Sequence, residues 1–373
     1  MEVDGARVLA FRLAGHGLAD PGGDPRAALG GWAVQDSPPG AAETALLARA
    51  GALEPGWLDR ALHADRSAVA LYNARTATAV LPAGDAAAYG TALIPHDDRG
   101  LKAIVGPALP GRAEGFAEPV ALAVDAVSDA LDGVTLSRDD LHEALRRRLP
   151  ADLLPWCPGC ESHHARRNLL VMASLHGRLC LAGRAGRQPA FARTDQWIGW
   201  DAPPREAARG ELARRYLASY GPSTPGQLAQ WAGLAPQHAR ALWALVAGEL
   251  AEVAVDGADR AWLLERDLPR LADPPPARGV RLVGPGDPLL LGRDRERLLG
   301  DPALRKRLWT ALPTTGLVLA DGKPVALWSA RKQGRRLAVT VDAFAPAPRE
   351  AIAAAAERLA PLRGCAGAAV SFA

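Results

Sequence analysis

The chain has 373 residues, 49% of them apolar and 23% charged, with a formal net charge of +3. That length exceeds one ordinary domain, and the composition is that of a folded protein, which excludes disordered and fibrous classes. Four cysteines are too few for a disulfide framework, no apolar run reaches the roughly 20 residues that span a bilayer, and the opening residues lack a signal-peptide core, so a cytoplasmic protein is expected.

The positive charge is almost entirely arginine, with lysine only at positions 102, 306, 323 and 332. Arginine forks suit phosphate, but a GC-rich genome produces the same bias. In chain order, residues 1–115 read as short helices with one hairpin. In QDSPPGAAETALLARAGAL, Ser37 is placed to cap a helix and Pro38 to enter its first turn, with Leu46, Leu47 and Ala50 at helical spacing. ATAVLPAGD alternates like a strand that ends in a turn. Over 116–203, LDGVTLSRDDLHEALRRRLP predicts a helix capped by Ser137, acidic in its first turn and basic in its last. LLVMASLHGRLCLAGRAGRQPAF then predicts a helix and two strands around Gly183 and Gly186, the order of a winged helix.

The same order recurs more plainly over 204–270. EAARGELARRYLASYG predicts a helix ended by Gly221, Thr224-Pro225 and Pro236 open two more, and EVAVD and RAWLLE form a hairpin turning at Asp256-Gly257. Three helices and a hairpin make a winged helix-turn-helix. After the linker LADPPPARG, residues 280–373 alternate as the strands VRLVG, GLVLADGKPVALWSA and RRLAVTVDAF, closed by a C-terminal helix. The fold class is therefore α+β.

Four blocks stand in order along the second half of the chain: YGPSTPGQLAQWAGL, VGPGDPLLLGRDR, DPALRKRLW and LVLADGKPVALW. Together they resemble the bacterial winged-helix DNA glycosylases of the AlkZ type, which excise alkylated purines and unhook crosslinks. The similarity covers essentially the whole chain. It implies tandem winged-helix domains followed by a small β-barrel-like unit, arranged as a C-shaped cradle for duplex DNA and working as a monomer without a cofactor. It also places the catalytic signature, LxxQxQDxP, in GWAVQDSPPGAAETALLARAG. Gln35 then falls on the second glutamine, Asp36 on the acid, and Ala33 on the first glutamine position. Arg12 and His16 in FRLAGHGL match the family's entry helix, and Arg75 its arginine before the hairpin, with Thr78 where a histidine is frequent.

An N3- or N7-alkylated purine is already a cationic leaving group, so no general acid is required. What remains is to place a water at the anomeric carbon, which a glutamine carbonyl does by hydrogen bonding. Asp36 either adds a polar group to that task or, with Ser37, caps backbone N–H groups of the following helix.

His163, His164, Arg166 and Arg167 open a helix and are candidates for the DNA backbone. Thr224, Gln237 and Arg240 belong to the helix-turn-helix, whose residues are poor in base-reading types, as suits recognition of duplex shape. Arg331, Lys332, Arg335 and Arg336 form a hairpin tip with four cations, a phosphate clamp or a solvated turn. Cys157 and Cys160, followed by His163 and His164, have half of a zinc motif, with Cys180 as a possible fourth ligand. No second pair completes it, so free thiols and no metal are expected. Two functions follow: a glycosylase for N-alkylated or bulky purine adducts in double-stranded DNA, or a catalytically silent winged-helix DNA-binding protein that acts as a damage sensor or regulator. Under either, DNA binding associates the protein with the nucleoid.

Overall fold

The computed structural model describes residues 1–29, 33–257 and 259–373. It is a mixed α+β structure whose chain groups into two compact units. The first comprises Met1–Leu58, Arg214–Gln227 and Ala247–Ala373, the second Asp59–Ala213 and Leu228–Val246.

In the first unit, Asp4 accepts the N–H of Arg7 at 2.7 Å and opens the helix Gly5–Gly15. Val8 and Phe11 of that helix share a buried cluster with Val3, Val253, Val255, Leu263 and Leu271. Glu2–Val3 pairs in parallel with Leu250–Val255, which pairs antiparallel with Asp259–Leu264. Asp256 and Gly257, both at positive φ, turn that hairpin where the sequence predicts it.

The C-terminal strands form one sheet in the order Val280–Val283, Gly316–Ala320, Lys323–Gln333, Arg336–Ala343 and Gly367–Phe372. The first four run antiparallel and the last joins in parallel after the crossover helix Arg349–Leu359. Alternation along Gly316–Ala320 sends Val318 to one face and Leu317 and Leu319 to the other. Ile352, Ala355, Ala356 and Leu359 of the crossover helix cover the Val318 face. Leu13, Leu18 and Ala48, from the N-terminal segment, cover the opposite one. The expected barrel-like unit is thus an open sheet: Val280–Val283 and Gly367–Phe372 are its edges.

In the second unit, Ser137 accepts the N–H of Asp140 and caps Arg138–Arg146, as its sequence predicts. Leu141 and Leu145 are the buried stripe of that helix. Within the unit the strands run in the order Thr78–Pro82, Ala68–Tyr72, Cys180–Ala185, Gln188–Ala192 and Leu136–Ser137. The helix Arg167–Leu175, buried from Leu169 to Leu175 and apolar there except for Ser174, precedes the Cys180–Ala192 hairpin. Pro236–Ala244 also lies here, whereas the hairpin after it belongs to the first unit. Among the described residues, no helix is long and apolar enough to cross a membrane.

Candidate active site

Within the first unit the motif stretch leads from Val34–Gln35 into the helix Ala41–Ala50; its Gly31 and Trp32 lie outside the described residues. The cap of this helix follows one of the two readings of Asp36, without the expected share of Ser37. Asp36 provides it: its Oδ1 accepts the N–H groups of Gly40 at 2.8 Å and Ala42 at 3.1 Å. Pro38 therefore lies before the helix rather than in its first turn. Burial raises the Asp36 carboxyl above its ordinary value, while these N–H groups and the Arg363 guanidinium oppose the rise. Gln35 donates from Nε2 to the Ser37 carbonyl at 2.8 Å. That bond fixes the amide with Oε1 as its acceptor end. Ala33 is half-buried.

Beside Val34 the unit has a pocket of about 220 Å³, walled by His16, Gly17, Ala27, Ala28, Arg49 and Pro288. Arg49 enters from the last turn of the helix Ala41–Ala50. It forms a two-point ion pair with Asp287, at 2.8 and 2.9 Å, and donates to the Ala45 carbonyl at 2.8 Å. Asp287 in turn accepts the N–H of Leu289 at 2.9 Å. Gly286, at φ +77, lies against the motif itself: a Cβ there would sit 2.8 Å from the Ser37 carbonyl oxygen and 3.2 Å from Gln35 Nε2. The block VGPGDP thus supplies both the close backbone approach and the buried carboxylate.

His16, at the end of the helix Gly5–Gly15, is 3% exposed. Its Nδ1 lies 2.9 Å from the Arg12 carbonyl oxygen. A carbonyl only accepts, so Nδ1 carries the proton and Nε2 the lone pair. Burial first, then the charge of Arg49, pushes the ring down to about 3. His16 is therefore neutral at physiological pH, with an acceptor nitrogen and an edge-on contact to Tyr220 at 4.7 Å. Arg12 is turned elsewhere. It pairs with Asp294 at 2.8 Å and donates to the carbonyls of Gly221 and Pro222, which binds three chain segments into one unit.

The other sequence-predicted residues are dispersed. Arg75, in the second unit, sits in the turn between Ala68–Tyr72 and Thr78–Pro82, where the Asn73 side chain accepts the N–H groups of Arg75 and Ala77. In the same unit Arg166 donates to the Trp156 carbonyl at 2.8 Å, and Arg167 lies 5.4 Å from the Tyr72 ring centroid. His163 is exposed, with Nδ1 at the Leu154 carbonyl, but His164 is buried. Gln237 is half-buried and Arg240 exposed. In the first unit Thr224 and Gln227 exchange side-chain and backbone bonds as a helix-capping box, so Thr224 is engaged locally.

Arg331, Lys332, Arg335 and Arg336 stand exposed around a two-residue turn at Gly334. Lys332 and Arg336 are tied to the carbonyls of Gly364 and Ala368. Of the cysteines, Cys157 and Cys160 approach His164, while Cys180 is buried with its thiol on the Ala192 carbonyl and is not part of that group.

Arg49, Asp287 and Gly286 were not among the residues that sequence reasoning singled out. Arg49 reads as an ordinary last-turn cation. The signal for the other two was the block VGPGDP, which stood out without a role.

Comparison with known proteins adds three findings. Residues 27–362 match the family described as DNA glycosylase AlkZ-like. An interstrand DNA cross-link repair glycosylase of Streptomyces sahachiroi is 28% identical over 210 residues, 54% of this chain and 55% of that protein. The chain thus spans about half the length of this curated relative in that match. The solved structure of Streptomyces sahachiroi DNA glycosylase AlkZ has the same fold, with a TM-score of 0.77 and 23% identity over 100% of both chains.

Proposed function

The chain belongs to the AlkZ-like DNA glycosylase family, and from that premise we propose that it hydrolyses the N-glycosidic bond of N-alkylated purines in duplex DNA. The observation that carries this reading is the Gln35 amide, oriented by Ser37, in the strand whose neighbouring residue Val34 lines a pocket with polar walls of His16 and Arg49. In the reaction, the bond between the sugar C1′ and the purine nitrogen breaks and its electron pair leaves with the base. That neutralises the positive charge the alkyl group introduced. Water adds to the oxocarbenium-like carbon and releases its proton to solvent.

Gln35 Oε1 orients that water by accepting a hydrogen bond. Neutral His16 adds a lone pair for the same task, since a ring pushed down to about 3 is a poor proton acceptor but a sound hydrogen-bond acceptor. The pairing of Arg49 with Asp287 cancels a charge that would otherwise repel a cationic base. Asp36, committed to the helix N-terminus, acts by positioning the motif rather than by touching the lesion.

Residues 1–115, 116–203 and 204–270 are read as winged-helix units around the duplex, the first carrying the motif, with 280–373 as the β unit of a cradle. A monomer in the cytoplasm suits this arrangement. His163, Arg166, Arg167, Arg240 and the hairpin cations are assigned to phosphate contacts, and Arg12 and Thr224 to the fold. One observation favours the alternative, a silent DNA-binding protein: Ala33 stands where the family signature has its first glutamine.

The deciding experiment incubates the protein with duplex carrying 7-methylguanine or a bulkier N7 adduct and analyses both products. Release of free base with an intact strand bearing an abasic site is expected. Binding without release of either base would leave the silent reading. If Ala33 has widened the pocket, Ala33→Gln will depress release of the bulkier adduct more than release of 7-methylguanine.

A further inference from the structure

The second unit carries a cluster of side chains that the proposed reaction does not use. Trp156–Cys157 and Ser162–His163 pair as a minimal hairpin around Cys157-Pro158-Gly159-Cys160. The Cys160 N–H donates to the Cys157 carbonyl at 3.2 Å, and Glu161 follows at φ 48, which reverses the chain. This turn brings both thiols to one side, with the N–H groups of Cys160 and Gly159 facing the Cys157 sulfur. One ligand atom each of Cys157, Cys160 and His164 then lie within 4.8 Å of one another.

His164 is 7% exposed. Its Nδ1 is engaged by the Ala165 carbonyl at 2.9 Å, and its ring meets the Cys157 thiol, with no other partner for the buried Nε2 among the described residues. A buried ring nitrogen with only a thiol, a weak hydrogen-bonding group, for company is poorly satisfied, which is costly. A metal-ligating histidine typically spends its other ring N–H on a backbone carbonyl, as here. His142 lies parallel to the ring at 4.2 Å and holds its orientation.

We propose that Cys157, Cys160 and His164 bind one zinc ion, with water in the fourth position. Two thiolates and an imidazole are the donor set of a borderline-soft ion. Tetrahedral zinc needs its ligand atoms about 3.5–3.8 Å apart, so the observed cluster has only to contract by about 1 Å. The hairpin has a physical need for the ion, because two strands of two residues, with Trp156 48% exposed, have almost no core of their own. Zinc would cross-link the turn to His164 and fix Arg166, which is bonded to Trp156. The inference is independent of the glycosylase reading.

The test measures metal content of the full-length protein, purified under reducing conditions and passed through gel filtration after exposure to zinc chloride. About one zinc per chain is expected. Cobalt(II) in its place should give intense tetrahedral visible bands with thiolate charge transfer. Cys157→Ser combined with Cys160→Ser, and His164→Ala, should lose the metal, while Cys180→Ser retains it. His164→Cys, which keeps a ligand at that position, should retain it too, and circular dichroism checks that each variant is folded. A wild-type protein that retains no zinc, folded variants that bind as much as wild type, or a Cys157–Cys160 disulfide in the reduced preparation would overturn the proposal.

Discussion

Arg49 and Asp287 face each other with 5% and 0% of their side chains exposed, so removing either leaves a buried charge without its counterpart. Asp287→Ala is expected to cost about 3–5 kcal/mol in denaturant unfolding, and Asp287→Ala with Arg49→Met to recover part of it. Equal losses in the single and double variants would show that the pair is not the cause. Gly286→Ala should cost about 1–3 kcal/mol, through its φ of +77 and the contact with the Ser37 carbonyl, and should slow base release as Gln35 shifts. His16 and His238 fall from an ordinary 6.5 to about 3 and about 4. Below pH 6.5 the unfolded chain takes up protons that the folded chain refuses. Stability is therefore complete above that pH and declines as pH drops toward 3 to 4. Urea midpoints should fall across this range, with a shallower slope in His16→Gln; equal slopes would exclude His16. The sequence pointed to Gln35 and His16 because family likeness and position are local. It missed Arg49 and Asp287, 238 positions apart, because a buried pair shows only when the chain is folded.

The hairpin around Gly334 puts four exposed cations within six residues. Lys332 and Arg336 brace it on backbone carbonyls, and Arg331 and Arg335 make no such bond among the described residues. Arg331→Ala and Arg335→Ala should weaken binding uniformly across duplex sequences, each lowering the slope of log affinity against log salt by about 1. Unchanged slopes would return the turn to a solvated role. Elements of this kind were legible, because turn chemistry at Asp256-Gly257 and the cap at Ser137 are written in adjacent residues. The start of the helix Ala41–Ala50 was legible only in part: a cap by Asp36 was one of the readings, but Pro38 lies before the helix and not in its first turn. Gly367–Phe372 was not read as a strand. It is rich in small residues, and its pairing with Arg336–Ala343 runs parallel through a crossover that no local pattern announces.

At the level of the molecule, the first unit is assembled from three separate stretches of chain. Leu13, Leu18 and Ala48 bury themselves against Val283, Leu289, Leu317 and Leu327, and Arg49 finds its partner in the same C-terminal region. A fragment ending at residue 270 is therefore expected to lose cooperative unfolding of this unit and native near-ultraviolet dichroism. A fragment that melts sharply would contradict that dependence. The α+β class was legible from alternation and helical spacing, and open closure of the C-terminal sheet was not. Hydrophobic alternation marks which residues face a core and says nothing about whether the outer strands meet.

In the proposed reaction Gln35 acts directly on a bound lesion. The most direct test of that role is single-turnover release of 7-methylguanine from duplex DNA by wild type and Gln35→Ala, with affinity for the same duplex measured in parallel. Near-equal binding is expected, with release slower by about 10²-fold or more in the variant. Wild-type release matched by Gln35→Ala, or tight binding by wild type with no base released, would contradict that role.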